Sequence, residues 1–564
     1  MKRFLILLII AACSSLVFAQ WSTDPAQNLQ ILDNSIKPRI VTDGEGGAIV
    51  VGESFTQNPV LYAQRIDKHG YILWDPSLRG IRVTTAGDEQ ANVIVVSDGA
   101  GGAYVGFDAR KIVGRTGEPP DPIYSSFVRV QHFDPNGNRL VGPEGVAVYP
   151  YSNSTNGGQV LFALVPDEHG GVYVMWSDIY GPQGYNVYIN HVQSNGQISW
   201  ENSVALSPPI SWIQRDFLVY PDGTGGVIIY YMPGGTSLSH KFFRINQRGE
   251  IVINKPIQTG LTVFYLFAPA NGECILFWQD FNQFMQLDTI RCQKIDRNGE
   301  KLWGENPVIV DTAGQLATPL GVGRLTDRNN GAFFAYRAGI TGTRLVHIDN
   351  RGRILFNKSA GRFNGTGWNF QECMAAYKQN GVLYSAYHPN EGLFVHFVDS
   401  SGVEIRSATL FTKRIAWAEW DGLVFDDNDG VIFTWFEIDP TRGIWIQQVS
   451  GTGQLGIVTS VKELSDQNST PKSFELLPAY PNPFRGTVRI AYKLPRNEMV
   501  VVKVYNLSGK EVITLVEQKQ ASGLNEIVWN GRDQNGRQVS SGVYFYQWSA
   551  GKQKQANKLV LLRN

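Results

Sequence analysis

The chain has 564 residues, of which 43% are hydrophobic, 12% aromatic and only 18% charged. Its 50 Lys and Arg residues balance 50 Asp and Glu residues, so no excess of positive charge is present to attract nucleic acid or an anionic membrane surface. The composition is that of a globular protein with many turns, since 59 residues are glycine.

The N-terminal residues predict an export signal. A Lys-Arg pair precedes a largely apolar stretch from Phe4 to Phe18. The residues just before Gln20 are small or of types that a signal-peptide cleavage site tolerates. We therefore expect a signal peptide over residues 1–19 and an exported protein with a net charge of 48 minus 50, or −2. An alternative is a lipoprotein signal in which Cys13 is acylated. The apolar stretch before Cys13 is shorter than the stretch before Gln20. No other apolar run is long enough to span a bilayer.

A tight turn of the form Asp/Asn-x-x-Gly, or a polar variant of it, recurs eight times after a short strand-like run. The turns close at Gly70, Gly137, Gly196, Gly249, Gly299, Gly352, Gly402 and Gly453. Their mean spacing is about 55 residues, which is typical of stacked supersecondary units. A unit of this size cannot bury enough surface alone, so the units must share a core.

A second, Gly-rich turn precedes each of these turns in the same unit. It is clearest where Asp43, Asp98, Asp167 and Asp222 begin it. Asp and Asn side chains bond the local backbone and Gly adopts positive φ without strain, so both turns are predicted hairpins that need no metal.

The segments between these turns are β-branched and aromatic, with no helical periodicity. Four such segments per unit predict an all-β fold, an eight-bladed β-propeller over residues 27–464. A count of seven remains open, because the second unit is long and the seventh divergent.

The alternation of strands also predicts where a binding site lies. In an up-and-down unit both repeated turns lie on one side, which we call the turn face. The opposite side, the loop face, receives the long and unequal segments at residues 110–123, 152–159, 179–186 and 358–371. Variable loops on a rigid scaffold are where binding is usually built, so we expect the binding surface on the loop face.

Several residues at that end are binding candidates. Acidic residues end the second strand of several units at Glu53, Asp108, Asp178, Asp280 and Glu437. Aromatic residues lie near the same level at Trp176, Tyr231, Trp278, Tyr336 and Trp435, and others lie on loops at Tyr151, Tyr185, Trp212, Trp368 and Phe370. Together they have the chemistry to hold a sugar or a peptide. The alternative is that the strand aromatics pack between blades and the acids sit at solvated strand ends.

The search for catalytic and metal motifs is negative. No Gly-x-Ser-x-Gly elbow, His-Glu-x-x-His or Walker loop occurs, and the eight His residues have no metal-ligand spacing. We expect no catalytic residues, no metal and no cofactor. Cys274 and Cys292 fall on the two strands of one predicted hairpin, where either a cross-strand disulfide or two buried thiols is consistent with the sequence.

The C-terminal region differs from the repeats in composition and in the pattern of its strand-like runs. A polar linker at residues 465–473 precedes a separate domain at 474–564, in which about seven short strand-like runs predict a β-sandwich. Separated blocks include Tyr480-Pro481-Asn482-Pro483-Phe484, Val504-Tyr505-Asn506-Leu507-Ser508-Gly509 and Ser541-Gly542-Val543-Tyr544-Phe545.

These blocks resemble the type A C-terminal sorting domain of the type IX secretion system and the immunoglobulin-like domain of flagellar hook-capping proteins. The resemblance implies a bacterium of the Bacteroidetes and Chlorobi type, Sec export, and passage across the outer membrane with the type IX machinery as partner. Its sorting elements correspond here to Gly542, Tyr544, Lys558, Leu559 and Val560. In this sequence Arg563 and Asn564 follow the apolar terminal strand, which is a small departure from the family's pattern. The alternative is an Ig-like domain that only caps or spaces the propeller.

The sequence therefore predicts a secreted or cell-surface protein whose propeller is a non-catalytic platform for an extracellular glycan or protein. An extracellular hydrolase or lyase acting on polysaccharide or peptide is the alternative, because propellers host such sites without a linear motif. A structural component of the envelope or matrix is a third possibility.

Overall fold

A computed structural model describes residues 21–456 and 474–561 with internal gaps. The gaps are 23, 25–27, 76, 86–88, 117–120, 150–157, 168, 182–183, 207–216, 232–239, 258–261, 268–271, 281–287, 314–323, 328, 339–341, 360–373, 378–380, 389–391, 412–421, 427–429, 438–441, 477–487 and 552. The described residues form β-strands and turns and contain no α-helix. Within this part, no helix has the length and apolar character needed to cross a membrane. The chain divides into two compact units between Ile457 and Val458. The predicted signal peptide and linker lie outside the described residues.

The first compact unit contains eight four-stranded antiparallel sheets among its described residues. The first strand of the chain, β1 (Leu29–Asp33), belongs to the last of these sheets. Units 1 and 2 comprise β2 (Ser35–Thr42), β3 (Ala48–Ser54), β4 (Leu61–Ile66), β5 (Ile81–Arg82), and β6 (Glu89–Ser97), β7 (Ala103–Thr116), β8 (Asp121–Phe133), β9 (Val146–Ala147). Units 3 and 4 comprise β10 (Gly158–Pro166), β11 (Val172–Gly181), β12 (Gly184–Val192), β13 (Val204–Ala205), and β14 (Phe217–Pro221), β15 (Val227–Tyr231), β16 (His240–Ile245), β17 (Ile251–Ile257).

The remaining four sheets follow the same order. Units 5 and 6 comprise β18 (Thr262–Phe267), β19 (Cys274–Asp280), β20 (Asp288–Ile295), β21 (Val308–Ala313), and β22 (Arg324–Thr326), β23 (Ala332–Ala338), β24 (Gly342–Ile348), β25 (Ile354–Ser359). Units 7 and 8 comprise β26 (Met374–Tyr377), β27 (Gly381–His388), β28 (Gly392–Val398), β29 (Glu404–Phe411), and β30 (Leu423–Phe425), β31 (Val431–Glu437), β32 (Gly443–Val449), with β1 as the fourth strand of unit 8.

Contacts between neighbouring sheets form a closed cycle. The first strands of most successive units contact one another, as β2 does with β6 and β6 with β10, and β30 of unit 8 contacts β2 of unit 1. Units 4 and 5 meet through a buried cluster that includes Tyr230 and Leu276. Buried apolar clusters bridge neighbouring sheets, such as Phe277 of unit 5 against Phe334 of unit 6 at a ring distance of 4.1 Å. The shared core predicted from the repeat length thus lies between the sheets.

Both repeated turns form where the sequence predicts them. In each Asp-x-x-Gly turn the amide of the closing residue donates to the carbonyl of the first, as from Gly70 to Asp67 at 3.0 Å. Gly70 has a φ of 88°, and a Cβ there would lie 2.8 Å from the backbone nitrogen of Trp21. Glycine is therefore required for both backbone conformation and close packing.

The Gly-rich turn is fixed by a buried carboxylate that bonds the local backbone, as the sequence predicts, and that also pairs with a side chain of the third strand, which the sequence analysis did not anticipate. In unit 3, Asp167 Oδ1 accepts from the amides of His169 and Gly171 at 2.7 Å each. Its Oδ2 lies 2.7 Å from Nε2 of His191 on the third strand, and Nδ1 of His191 lies 2.6 Å from Ser199 Oγ. Equivalent pairs are Asp43 with Arg65, Asp98 with His132, Asp222 with Arg244, Asp327 with His347 and Asp426 with Gln448. Each pair ties the first turn of a unit to its third strand.

We expect Asp167→Ala to lower the free energy of unfolding by about 3 kcal/mol, because it leaves His191 and two buried amides without their acceptor. Burial raises the pKa of Asp167, but hydrogen bonds from His191, His169 and Gly171 outweigh this and hold it at about 2, against an ordinary 3.8. A carboxyl with a lowered folded pKa stabilises above the unfolded value, so this contribution is lost as the pH falls from 3.8 towards 2. Urea denaturation at neutral pH and at pH 2 measures both effects; equal losses at the two pH values would contradict the interpretation.

Tryptophans after the second turn connect neighbouring units on the turn face. Trp74 Nε1 donates to the carbonyl of Pro135 in unit 2 at 3.0 Å, and Trp200 Nε1 donates to the carbonyl of Gln247 in unit 4 at 3.0 Å. Trp21 makes the same bond to Lys68 of unit 1 at 2.8 Å. The N-terminal segment therefore supplies for unit 8 both this tryptophan and the fourth strand, β1.

One sequence-based expectation differs from the structure, and the structure decides between the two arrangements that the sequence left open for the cysteines. The segments at 110–123 and 179–186 are largely strand, because β7 pairs with β8 as far as Thr116 opposite Asp121, and β11 with β12 as far as Gly181 opposite Gly184. The cysteines do not form the cross-strand disulfide. Cys274 pairs with Ile295 and Cys292 with Phe277, so the two thiols are not opposite each other and both are free and buried.

The second compact unit consists of two antiparallel sheets that share one buried cluster. One sheet has the order β33 (Glu475–Leu476), β34 (Val488–Leu494), β37 (Gly523–Trp529). The other has the order β36 (Glu511–Gln520), β35 (Glu498–Asn506), β38 (Gly542–Ala550), β39 (Gln553–Leu561). Trp529 from the first sheet and Trp548 from the second are among its largest buried side chains.

Candidate functional site

The loop face of units 2 and 3 carries the two long hairpins, β7–β8 and β11–β12. Hairpin strands extend their backbone hydrogen bonding to Thr116 and Gly181, so these projections are held by regular pairing. Rigid projections of this kind are a suitable framework for a binding site.

Asp108 lies at the base of this region and joins unit 2 to unit 3. Its Oδ1 accepts from the amide of Leu161 at 2.8 Å, and its Oδ2 accepts from Asn92 Nδ2 at 3.1 Å. Asn92 sits in a bulge of β6 with a φ of 52° and also donates to the carbonyl of Leu161 at 2.8 Å. Asp108 is only 1% exposed, so the hydrogen bonds of its carboxylate stabilise the interface between these two units.

Asp178 is the more accessible carboxyl of the region. It pairs across the sheet with Gln159, whose Oε1 accepts from the amide of Val128 in unit 2 at 3.0 Å. Burial raises the pKa of Asp178, and the hydrogen bond from Gln159 opposes this shift only in part. The carboxyl therefore retains its proton to a higher pH than an exposed aspartate, and in that form it both donates and accepts hydrogen bonds.

Three aromatic rings stack beside Asp178. Tyr149 lies 6.3 Å from Tyr188 with an interplanar angle of 17°, and Tyr188 lies 5.9 Å from Trp176 at 26°. Tyr149 is 39% exposed, whereas Trp176 is fully buried and its Nε1 has no hydrogen-bond partner among the described residues. Asp178 lies two positions after Trp176 on β11 and so on the same face of the sheet, where Tyr188 is paired with Trp176. Burial raises the pKa of Tyr188, and Asp178 and Tyr149 raise it further. We call Tyr149, Trp176, Asp178 and Tyr188 the aromatic cleft.

The aromatic cleft has the elements that bind a hydroxylated ring. An exposed aromatic face packs against the apolar side of such a ring, and a carboxyl hydrogen-bonds its hydroxyl groups. Sequence reasoning singled out Trp176 and Asp178 but missed Tyr149 and Tyr188. The signal for Tyr188 is the hairpin register, which places it directly opposite Trp176.

The other acidic candidates make local contacts. Glu53 accepts from Lys37 Nζ at 3.2 Å, and Glu437 accepts from Trp435 Nε1 at 3.1 Å. Asp280 ends β19, and nothing further is described of its side chain. The strand aromatics Trp278, Tyr336 and Trp435 are buried.

Several candidates fall outside the described residues. These are Tyr151, Trp212, Trp368 and Phe370, together with the side chain of Tyr185, whose backbone belongs to β12. Among the residues that the structure does describe, no three His, Cys, Asp or Glu side chains form a group able to hold a metal ion.

The sorting residues occupy the last two strands of the second unit. Gly542 begins β38, and Tyr544 is 6% exposed with its hydroxyl donating to the carbonyl of Ser540 at 2.7 Å. On β39, Leu559 is fully buried, Val560 half-buried and Lys558 exposed. The apolar positions thus serve the core, while Lys558 is presented to solvent.

Comparison with known proteins identifies the C-terminal region. Residues 478–562 match the family model of the secretion system C-terminal sorting domain, the tail of type IX secretion cargo. This tail indicates that the protein is secreted or located on the outer cell surface. No curated protein sequence matches the chain.

Solved structures show only a distant likeness. The WD40 domain of SCAP from fission yeast is 11% identical with a TM-score of 0.41, covering 75% of this chain and 96% of that one. A mutant puromycin hydrolase is 12% identical with a TM-score of 0.39, covering 73% and 59%. PorZ, a surface component of the type IX secretion system of Porphyromonas gingivalis, is 10% identical with a TM-score of 0.26, covering 95% and 100%. No inference about activity follows from likeness at this level.

Proposed function

We propose that the protein is a type IX secretion cargo whose eight sheets are the blades of one eight-bladed β-propeller, and that this propeller binds an extracellular glycan without catalysis. The closed cycle of contacts between successive sheets supports the blade arrangement. The proposed propeller spans residues 27–464, behind a signal peptide at 1–19 that directs Sec export. Passage across the outer membrane then depends on the C-terminal domain at 474–564, which we propose is an Ig-like β-sandwich.

The aromatic cleft is the observation that carries the binding role. Tyr149 is a partly exposed ring packed against Tyr188, and Asp178 supplies a carboxyl on the sheet face of Trp176, in the strand of a long hairpin. We favour a glycan over a peptide because an exposed tyrosine ring beside a carboxyl suits a ring that has both an apolar C–H face and hydroxyl groups. If the protein binds a peptide and not a glycan in the test below, the proposed class of ligand is wrong.

A glycosidase or lyase is less well supported by the described residues. Glycoside cleavage requires two carboxyl groups roughly 5–9.5 Å apart on either side of the bond. The aromatic cleft contains one carboxyl, that of Asp178. The predicted acid of the neighbouring unit, Asp108, is buried and its carboxylate accepts hydrogen bonds from Leu161 and Asn92. The geometry therefore favours recognition over cleavage.

We expect Tyr149→Ala to weaken glycan binding by about tenfold, because loss of one stacking face costs on the order of 1 kcal/mol. Binding of the mature protein to a glycan array, followed by titration with the best ligand, measures this loss. Phe55→Ala is the matched control, since Phe55 is an equally exposed aromatic at 40%. Release of new reducing ends would support the enzyme instead, and binding that survives Tyr149→Ala would contradict this site.

A further inference from the structure

Three consecutive units carry an arginine at the tip of the Asp/Asn-x-x-Gly turn, on the turn face. These are Arg248 in unit 4, Arg297 in unit 5 and Arg351 in unit 6, each between the first residue of its turn and the closing glycine. The tips of the other five turns contain no arginine, and Lys68 in unit 1 is their only lysine. A basic side chain at this place is therefore particular to units 4 to 6. We call Arg248, Arg297 and Arg351 the arginine arc.

The side chains of the arginine arc are available to a ligand. Arg248 and Arg351 are exposed and Arg297 is half-buried. Their turns are closed by backbone bonds and by the side chain of the first residue, so the guanidinium groups are not needed to form them. Within the described part of the chain none of the three makes an ion pair, and a guanidinium group stays protonated at every physiological pH.

The acidic residues around the arginine arc already have partners. Ion pairs join Glu300 to Lys255, Glu305 to Lys301 and Asp349 to Arg353, with N–O distances of 2.6, 3.1 and 2.7 Å. Glu250 accepts from Asn246 Nδ2 at 2.7 Å, and Asp296 Oδ1 accepts from two amides of its own turn. The carboxylates are thus held within the turns, while the arginines stand at the tips.

The three turns are fixed to one another in succession. Lys255 on β17 of unit 4 pairs with Glu300, which directly follows the turn of unit 5. Trp303 of unit 5 then donates its Nε1 to the carbonyl of Asn350 in the turn of unit 6, at 2.9 Å. The arginine arc therefore presents one guanidinium group per unit on a connected framework, which lowers the entropy cost of binding a long ligand.

We propose that the arginine arc binds a linear anionic polysaccharide, one whose repeating unit carries a carboxylate or sulfate group. A guanidinium group binds such an oxyanion through two parallel hydrogen bonds. One arginine per unit, on the same turn of each unit, fits a polymer that presents its anionic groups at regular intervals. The site lies on the turn face and goes beyond the glycan binding proposed for the aromatic cleft, because the two sites share no residue.

Titration of the mature protein with polygalacturonate and with carrageenan tests this proposal, since the first polymer presents carboxylates and the second sulfates. We expect at least one of them to bind and a neutral agaro-oligosaccharide not to compete. Monomeric galacturonate should bind at least about a hundredfold more weakly, because one polymer chain engages several arginines. The affinity for the polymer should fall by roughly tenfold or more between about 50 and about 200 mM salt.

Substitution by glutamine removes each charge and keeps most of the side-chain stem. Each of Arg248→Gln, Arg297→Gln and Arg351→Gln should weaken polymer binding by about three- to tenfold, and the triple variant by at least about thirtyfold, with unchanged thermal stability. Lys68→Gln is the matched control, since Lys68 is exposed at the same turn position as Arg297 but lies in unit 1. It should leave the affinity within about twofold of the parent. Tyr149→Ala should not change this binding, which separates the arginine arc from the aromatic cleft.

Polyglutamate and vesicles of anionic lipid test other polyanions in the same assay. The vesicles are needed because Val252, Leu302 and Leu355, which follow the three turns, are exposed apolar residues that suit a lipid surface. Equal or tighter binding of polyglutamate or vesicles would overturn the assignment. So would the absence of binding to both polysaccharides, full competition by monomeric galacturonate at equal carboxylate concentration, or a loss in Lys68→Gln as large as in the triple variant.

Discussion

Removal of residues 21–33 from the mature chain should lower the free energy of unfolding of the first compact unit by roughly 6 kcal/mol, because three large apolar side chains lose their burial. Ile31 and Leu32 are fully buried and Trp21 is 6% exposed. Leu32 packs against Gly52 and Gly80 of unit 1, so the segment also connects the last sheet to the first. Urea denaturation and size-exclusion chromatography measure the loss, and the exposed edge of β32 should cause association.

Single substitutions separate this contribution from the shortening itself. Leu32→Ala should cost about 2–5 kcal/mol through the cavity it leaves. Gln30→Ala should cost less than about 1 kcal/mol, because Gln30 lies at the surface and donates to the carbonyl of Arg442 at 3.2 Å. A truncated protein that keeps both its unfolding midpoint and its monomeric elution would show that β1 does not hold the ring of sheets closed.

The turns were predictable because their chemistry is local. The amide of Gly137 donates to the carbonyl of Asp134 at 3.0 Å, and Asp134 Oδ1 accepts from the amides of Asn136 and Asn138. All these partners lie within five consecutive residues, so the sequence contains the whole interaction. The periodicity of such turns predicts eight units, and eight four-stranded sheets occur among the described residues of the first compact unit.

The role of β1 was not predictable in the same way. Leu29 to Thr42 is a nearly continuous strand-like run, and only Asn34, with a φ of 46°, separates β1 from β2. The partner of β1 is β32, as where Leu29 faces Ile446, and a sequence pattern does not specify so distant a pairing. The sequence left open whether Cys274 and Cys292 lie opposite each other for a related reason, since a shift in the register of a hairpin changes which positions are paired.

The buried Asp pairs did leave a signal that sequence reasoning overlooked. The hydrogen-bond donor of each pair stands two positions before the Asp-x-x-Gly turn, as Arg65 stands before Asp67, His132 before Asp134 and His347 before Asp349. A basic or amide side chain at a fixed distance from one turn, together with an aspartate at the other, predicts their contact. The aromatic cleft required more, because Tyr149 comes from unit 2 while Trp176 and Tyr188 come from unit 3.

Deletion of residues 553–564 should retain the protein inside the cell envelope and reduce the amount outside the cell by at least about tenfold. The deletion removes β39, which pairs with β38 along Gly542–Ala550 and buries Leu559 and Leu561. We propose that the sorting tail directs this protein outward, and we therefore expect its last strand to be required, either as the recognised element or as part of the recognised fold. Immunoblotting of medium, surface and periplasmic fractions measures the distribution.

Two substitutions on β39 distinguish recognition from folding. Leu559→Ala should destabilise the C-terminal unit by about 2–4 kcal/mol, since Leu559 is fully buried in its core. Lys558→Ala should leave stability within about 0.5 kcal/mol of the parent, because Lys558 is exposed, and yet lower export if the machinery contacts this strand directly. Normal export of Lys558→Ala with failed export of Leu559→Ala would mean that the fold of the tail is recognised and Lys558 is not. Export of the deletion variant at parental levels would show that passage across the outer membrane does not depend on the end of this domain.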